Sequence, residues 1–130
     1  MKTKIATSIE QSKKLLELGL DAESADCVYL VGGKGPYISQ SWKEKYRTGL
    51  FDLQYIPCWS LAALIEEIPE IINFDDDKND YALEILKESD LYYLSYGNPL
   101  DGDKLNIEPQ ENFVDACVAM IEKLHKLNLL

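Results

Sequence analysis

The stretch Tyr81-Ala82-Leu83-Glu84-Ile85-Leu86-Lys87-Glu88-Ser89-Asp90-Leu91-Tyr92-Tyr93-Leu94-Ser95-Tyr96 decides the fold class. Tyr81, Leu83 and Ile85 alternate with Ala82, Glu84 and Leu86, the period of two expected of a strand with one face on a core. Leu91 to Tyr96 is the strongest strand signal in the chain, dense in the aromatic residues that pack well on a pleated surface. Glu88-Ser89-Asp90 provides turn chemistry between the two runs. Together they predict an antiparallel hairpin over 81–96. One alternative stays open from the sequence: residues 81–88 also admit a helix.

In such a hairpin Tyr92 and Tyr96 share one face and Tyr93 takes the other. One set must then be less buried, and an exposed tyrosine offers a partner a rigid ring with a hydroxyl. Tyr92, Tyr96, Trp59 and Trp42 are therefore the candidate binding residues, with a common pocket as the arrangement to look for. Cross-strand packing uses the same residue types, so a purely structural role competes with this reading.

Working upstream, the segment after Thr7 reads as a helix that runs through Leu15, Leu16 and Leu18 and meets Gly19. Thr7-Ser8-Ile9-Glu10 resembles a capping box, with Thr7 as N-cap and Glu10 reaching back. Gly19 can adopt the left-handed conformation that ends a helix, placing Leu20 over Leu15. A polar turn over 21–26 leads to a strand at Cys27-Val28-Tyr29-Leu30-Val31, and Gly32-Gly33-Lys34-Gly35-Pro36 reads as a loop. Between Tyr37 and Tyr55 a short strand or two around an exposed loop is expected. Pro57-Cys58-Trp59-Ser60 is expected to open a second helix. Its apolar stripe is Leu61, Leu64, Ile65 and Ile68, stopped by Pro69.

Downstream of the hairpin, Gly97-Asn98-Pro99 and Asp101-Gly102-Asp103 are turn signals, and Leu105-Asn106-Ile107 suggests a short edge strand. Asn112 caps a last helix with Phe113, Cys117, Met120, Ile121 and Leu124 on its buried face. The sum is a single α+β domain over 1–130, about three helices packed on a small antiparallel sheet.

Composition narrows the function classes. Thirteen basic against 23 acidic residues leave a net charge of −10, which disfavours direct contact with nucleic acid or an anionic membrane. No segment approaches the ~20 apolar residues of a membrane span, and the N-terminal residues lack a signal-peptide core. Cys27, Cys58 and Cys117 form no paired motif, so free thiols in a reducing, cytoplasmic setting are expected.

Sites of known chemistry each fail at a named residue. Asp75, Asp77 and Asn79 start a calcium-loop pattern, but Asp80 and Leu86 stand where its Gly and Glu belong. Gly32-Gly33-Lys34-Gly35 runs into Pro36-Tyr37-Ile38, an extended segment where a phosphate loop needs a helix. His125, the single histidine, sits near a helix C-terminus and has no evident zinc partners. Cys58 is the remaining possibility: a thiol at a helix start is more acidic, and His125 is the one imidazole available as its base. No metal or cofactor is expected.

Several segments resemble a family of small uncharacterised proteins common in Bacteroides-type gut bacteria, their phages and mobile elements. The similarity lies in Ile9–Leu20 and Ala25-Asp26, in Ile56-Pro57-Cys58-Trp59-Ser60-Leu61-Ala62-Ala63-Leu64-Ile65, in Tyr92–Tyr96, and in Asp115–Glu122. It is weakest over 37–55 and 97–112. The resemblance implies a mobile-element setting and no catalytic residues, and the family often carries a small residue such as alanine at the position of Cys58. The leading expectation is a non-enzymatic accessory protein that binds a protein partner. Its rivals are an acidic inhibitor that imitates nucleic acid towards a host DNA-binding protein, and a small thiol enzyme using Cys58.

Overall fold

A computed structural model describes residues 4–30, 32–44, 55–74 and 79–130. The decisive stretch is a hairpin. Writing the strands in chain order, β5 (Tyr81–Glu88) pairs antiparallel with β6 (Leu91–Asn98), from Ala82 opposite Gly97 to Glu88 opposite Leu91. Ser89 and Asp90 make the turn with φ of 52° and 62°. Two positive φ values define the two-residue hairpin turn whose twist matches that of the strands. The helical alternative for 81–88 is thereby removed.

Two further strands complete this sheet. β7 (Gly102–Asn106) lies on the outer side of β6, as the edge-strand expectation had it, and β4 (Ile71–Ile72) flanks β5, giving the order β4-β5-β6-β7. Past β7 the chain keeps to the edge of β6: Tyr92 and Gln110 exchange backbone bonds of 2.7 and 3.1 Å. The core face carries Tyr81, Leu94, Tyr96 and Leu105, all buried.

The α+β class with three helices on antiparallel strands is as expected, with the strands divided between this sheet and a second one. β1 (Cys27–Leu30) is its centre, between β2 (Lys34–Ile38) and β3 (Tyr55–Cys58), both antiparallel to it. Two sequence readings change as a result. Lys34-Gly35-Pro36 is not loop: the turn is confined to Gly32-Gly33, and Pro36 lies in an edge strand, where a residue without an N–H is tolerated. Nor does Pro57-Cys58-Trp59-Ser60 open a helix. Residues 57 and 58 finish β3, Trp59 exchanges bonds with Thr7 (Thr7 N to Trp59 O 2.9 Å, Trp59 N to Thr7 Oγ1 3.1 Å), and Ser60 is the N-cap.

The helices close the core between and beside the sheets. α1 (Ile9–Leu18) starts one residue later than Thr7 suggested: the capping box is Ser8 with Gln11, because the Thr7 hydroxyl is engaged with Trp59 and Ser12. Its end is as read, with Gly19 at φ 104° and Leu20 N bonded to Leu15 O at 3.1 Å. A 3-10 turn at Ala22–Ser24 fills the polar segment before β1. In α2 (Leu61–Glu67) Leu64 and the following Ile68 are buried, while Ile65 is on the rim.

α3 (Phe113–Lys126), capped by Asn112, packs against β6, α1 and α2. Cys117, Met120, Ile121 and Leu124 are buried as expected. Val114, Ala116 and Val118 are buried too, so the helix is enclosed on more than one side. No helix among the described residues is long and apolar enough to cross a membrane.

Candidate functional site

The structure does not gather the four aromatic candidates into one pocket. Trp59 and Tyr96 are 0% exposed and Trp42 3%, so all three are core residues. Their polar atoms are satisfied internally: Trp59 Nε1 donates to Ser24 Oγ (2.9 Å), Tyr96 Oη to Pro69 O (2.6 Å) and Trp42 Nε1 to Ser39 O (2.6 Å). Burial alone drives the Tyr96 hydroxyl above the usual tyrosine range. Tyr92 is half-buried, stacked on Phe113 with ring centroids 4.9 Å apart, and Lys87 Nζ lies over its ring. Trp42 borders a shallow pocket of about 370 Å³ with Tyr37 and Tyr55, on the other sheet.

The hairpin's opposite face makes a different site. Because alternate residues point to opposite sides, turning Tyr92, Leu94 and Tyr96 inward turns Tyr93 and Ser95 outward. Opposite them β5 presents Leu86 across from Tyr93 and Glu84 across from Ser95, and β7 presents Asn106 across from Ser95. These residues line a groove of about 410 Å³ whose rim carries Glu84, Asp103 and Glu108 and no basic residue. Leu86 is 53% exposed at its floor.

Two local features shape the groove. Gly97 lets β7 approach closely: a Cβ there would meet Gly102 O at 2.7 Å and Asp103 Oδ1 at 2.9 Å. The irregularity between Tyr96 and Gly97 then takes Lys104 out of the outward series, to lie near the rings of Phe74 and Tyr81. The cation of β7 is thus kept on the core side, and the lysine that reaches a groove residue, Lys123, is engaged with the Asn106 carbonyl. This site is not among the residues expected from the sequence, although its signal is present there. Leu86 is an apolar residue in the outward series 82-84-86-88, where a polar one is the norm.

The cysteine chemistry is also rearranged. Cys58 lies in β3, opposite Cys27, and both are fully buried and free. It ends a strand, and the helix that follows is capped at Ser60. His125 stands elsewhere, beside Lys14, Lys123 and Lys126 at the end of α3. Cys27 is held far above the usual thiol range by the Cys58 thiol beside it, by burial and by the adjacent Asp26 carboxylate. Burial pushes the Asp26 carboxyl up, but bonds from the Ser60 hydroxyl and amide and the Cys27 thiol outweigh it, leaving the group below its usual range. Cys117 is pushed up to about 12 by burial.

Of the acidic run 75–80, residues 75–78 lie outside the described residues. Asp80 accepts a bond from Asn73 Nδ2, and Asn79 donates to Asp101. No cluster with enough metal ligands occurs among the described residues. Comparison with known proteins gives no match: no family model, curated protein or solved structure aligns with this chain.

Proposed function

We infer that this protein is a non-enzymatic interaction module whose binding surface is the outer face of the β5-β6-β7 sheet, and that its partner presents basic side chains around an apolar or aromatic residue. One observation carries the reading: an apolar floor of Leu86 and Tyr93 ringed by Glu84, Asp103 and Glu108, with no lysine or arginine lining the groove. The apolar floor supplies the area to bury, and the carboxylates steer and select a cationic partner. The accessory, mobile-element setting rests on the sequence resemblance.

Imitation of nucleic acid fits the charge distribution less well. Exposed acids also occupy other parts of the surface, Glu10 and Glu17 on α1 and Glu66 on α2 among them, so carboxylates are not confined to one face. What distinguishes the groove is its apolar floor, which a phosphate mimic does not require. A thiol enzyme is disfavoured by the enclosed Cys58 and its separation from His125.

The test is titration of the isotope-labelled protein with a short Lys/Arg-rich peptide centred on leucine and tyrosine, beside the same peptide with glutamates in place of the cations. Amide shifts confined to residues 84–95 and 103–108, seen with the basic peptide alone and abolished in Glu84→Lys/Asp103→Lys/Glu108→Lys, support the reading. No shifts, or shifts centred on the Trp42 pocket, overturn it.

A further inference from the structure

We propose that Cys27 and Cys58 form a reversible cross-strand disulfide when the protein meets a hydroperoxide. The two residues are direct partners in the antiparallel β1–β3 ladder. Opposed Cα atoms in such a ladder lie about 4.5–5.5 Å apart, within the ~4.4–6.8 Å that a disulfide spans. Their side chains share one small apolar cluster with Ala6 and Tyr29. The bond therefore closes without a rearrangement of the fold. This inference stands independently of the groove.

The chemistry follows from the neighbours. Asp26 Oδ1 accepts from Cys27 Sγ at 3.2 Å, so the Cys27 thiol has a carboxylate in place to take its proton and serves as the resolving thiol, with Cys58 as the one oxidised first. The Cys58 sulfur attacks the peroxide: its S–O bond forms, the O–O bond breaks, and the thiol proton goes to the leaving oxygen, which departs as water from hydrogen peroxide or as an alcohol from an organic hydroperoxide. Cys27 then displaces the hydroxyl from the sulfenic acid on Cys58. The S–S bond forms, the S–O bond breaks, and the Cys27 proton passes through the Asp26 carboxylate to the departing hydroxide, giving water. The two thiols supply the two electrons that reduce the peroxide. A small thiol reverses the bond by exchange.

Both sulfurs belong to residues that are 0% exposed, so peroxide enters only on local opening. β3 is an edge strand and belongs to a different sheet from the β5–β6 hairpin, so the opening that uncovers the pair is the release of β3 from β1 and of Trp59 from Thr7. Reaction is accordingly slower than at an exposed thiol. Cys117 serves as an internal reference, since it is equally buried but lies on α3 in the other cluster.

The experiment is hydrogen peroxide treatment of the whole chain, a quench, denaturation with iodoacetamide, and intact-mass and peptide mapping. Expected are the loss of two hydrogen atoms, alkylation of Cys117 alone, a linked Cys27–Cys58 peptide pair, and reversal by dithiothreitol. The link closes the loop between residues 27 and 58 and raises the melting midpoint by about 10 °C. Cys58→Ser loses the link and the rise, while Cys117→Ser keeps both. Three alkylated cysteines after peroxide, over-oxidation of Cys58 without a link, or a link through Cys117 overturns the proposal, and the wild-type mass measurement reads this without any variant.

Discussion

Replacing Gly97 by alanine tests the close approach of β7 to β6 with a single methyl group. Gly97 does not have a positive φ, so the backbone itself accepts alanine. Its obstacle is space: the new Cβ meets Gly102 O at 2.7 Å and Asp103 Cα at 3.2 Å, where ordinary contact begins at 3.4 Å. The opposing atoms are backbone, so relief requires β7 to move by several tenths of an ångström. Overpacking of this kind costs about 1–3 kcal/mol. The loss of chain entropy in the unfolded state offsets about 0.4–1 kcal/mol of that.

A net destabilisation of about 1.5 kcal/mol is expected, seen as a lower urea midpoint with an unchanged slope. Hydrogen exchange should speed up over residues 102–106, and peptide binding to the groove should weaken because Asp103 shifts with its strand. Gly102→Ala is the comparison: it meets nothing within 4 Å, so its cost comes from φ +68° and not from displaced neighbours. A Gly97→Ala protein as stable as wild type, with unchanged exchange in β7, refutes the reasoning.

Other residues give sharper pH and deletion signatures. Because the folded Asp26 carboxyl lies below its unfolded value, its contribution is present above about pH 3.9 and fades as pH falls through the folded value. Asp26→Asn should therefore be less stable than wild type at pH 7 in urea, with a gap that narrows towards pH 3; a gap that widens in acid contradicts the bonding to Ser60. Tyr96 has the opposite sense. Its raised hydroxyl contributes fully below about pH 10 and the contribution is lost above it, so Tyr96→Phe should flatten the alkaline limb of a pH–stability curve. At neutral pH the same change costs about 1 kcal/mol for the bond to Pro69, measured by urea unfolding. Thr7→Val should cost about 1–3 kcal/mol by stranding the Trp59 amide, while the Ser12 hydroxyl keeps its bond to the Ser8 carbonyl, and a neutral result in the same assay contradicts that network.

The fold class was legible where one local pattern agreed with its own neighbours. The 81–96 alternation, the Gly19 stop and the Asn112 cap each need only a few adjacent residues to be read. What escaped depended on distant partners. Thr7 and Ser8 are chemically alike as caps, and the choice between them is made by Trp59, far along the chain. Tyr55–Cys58 is short, contains a proline, and precedes a helical stripe; it becomes a strand because β1 offers an unpaired edge. The groove is half visible in the sequence: Leu86 stands in the hairpin pattern, yet its place in one groove with Asp103 and Glu108 depends on the β6–β7 register. The large rigid rings that suit the four aromatics to binding are also what draws Trp42, Trp59 and Tyr96 into the core.

The position of α3 in the chain order bears on how the protein is made. Its seven buried residues pack against β6 and two earlier helices, yet they are the last of the described elements to leave a ribosome. A nascent chain ending at Asn112 would carry the β5–β6 hairpin with Leu94 and Tyr96 uncovered. Folding must therefore wait for translation of α3, and until then the chain is a client for chaperones that bind apolar strands. Ribosome stalling within residues 113–126 should leave a protease-sensitive chain, and release past Lys126 should make it resistant in one step.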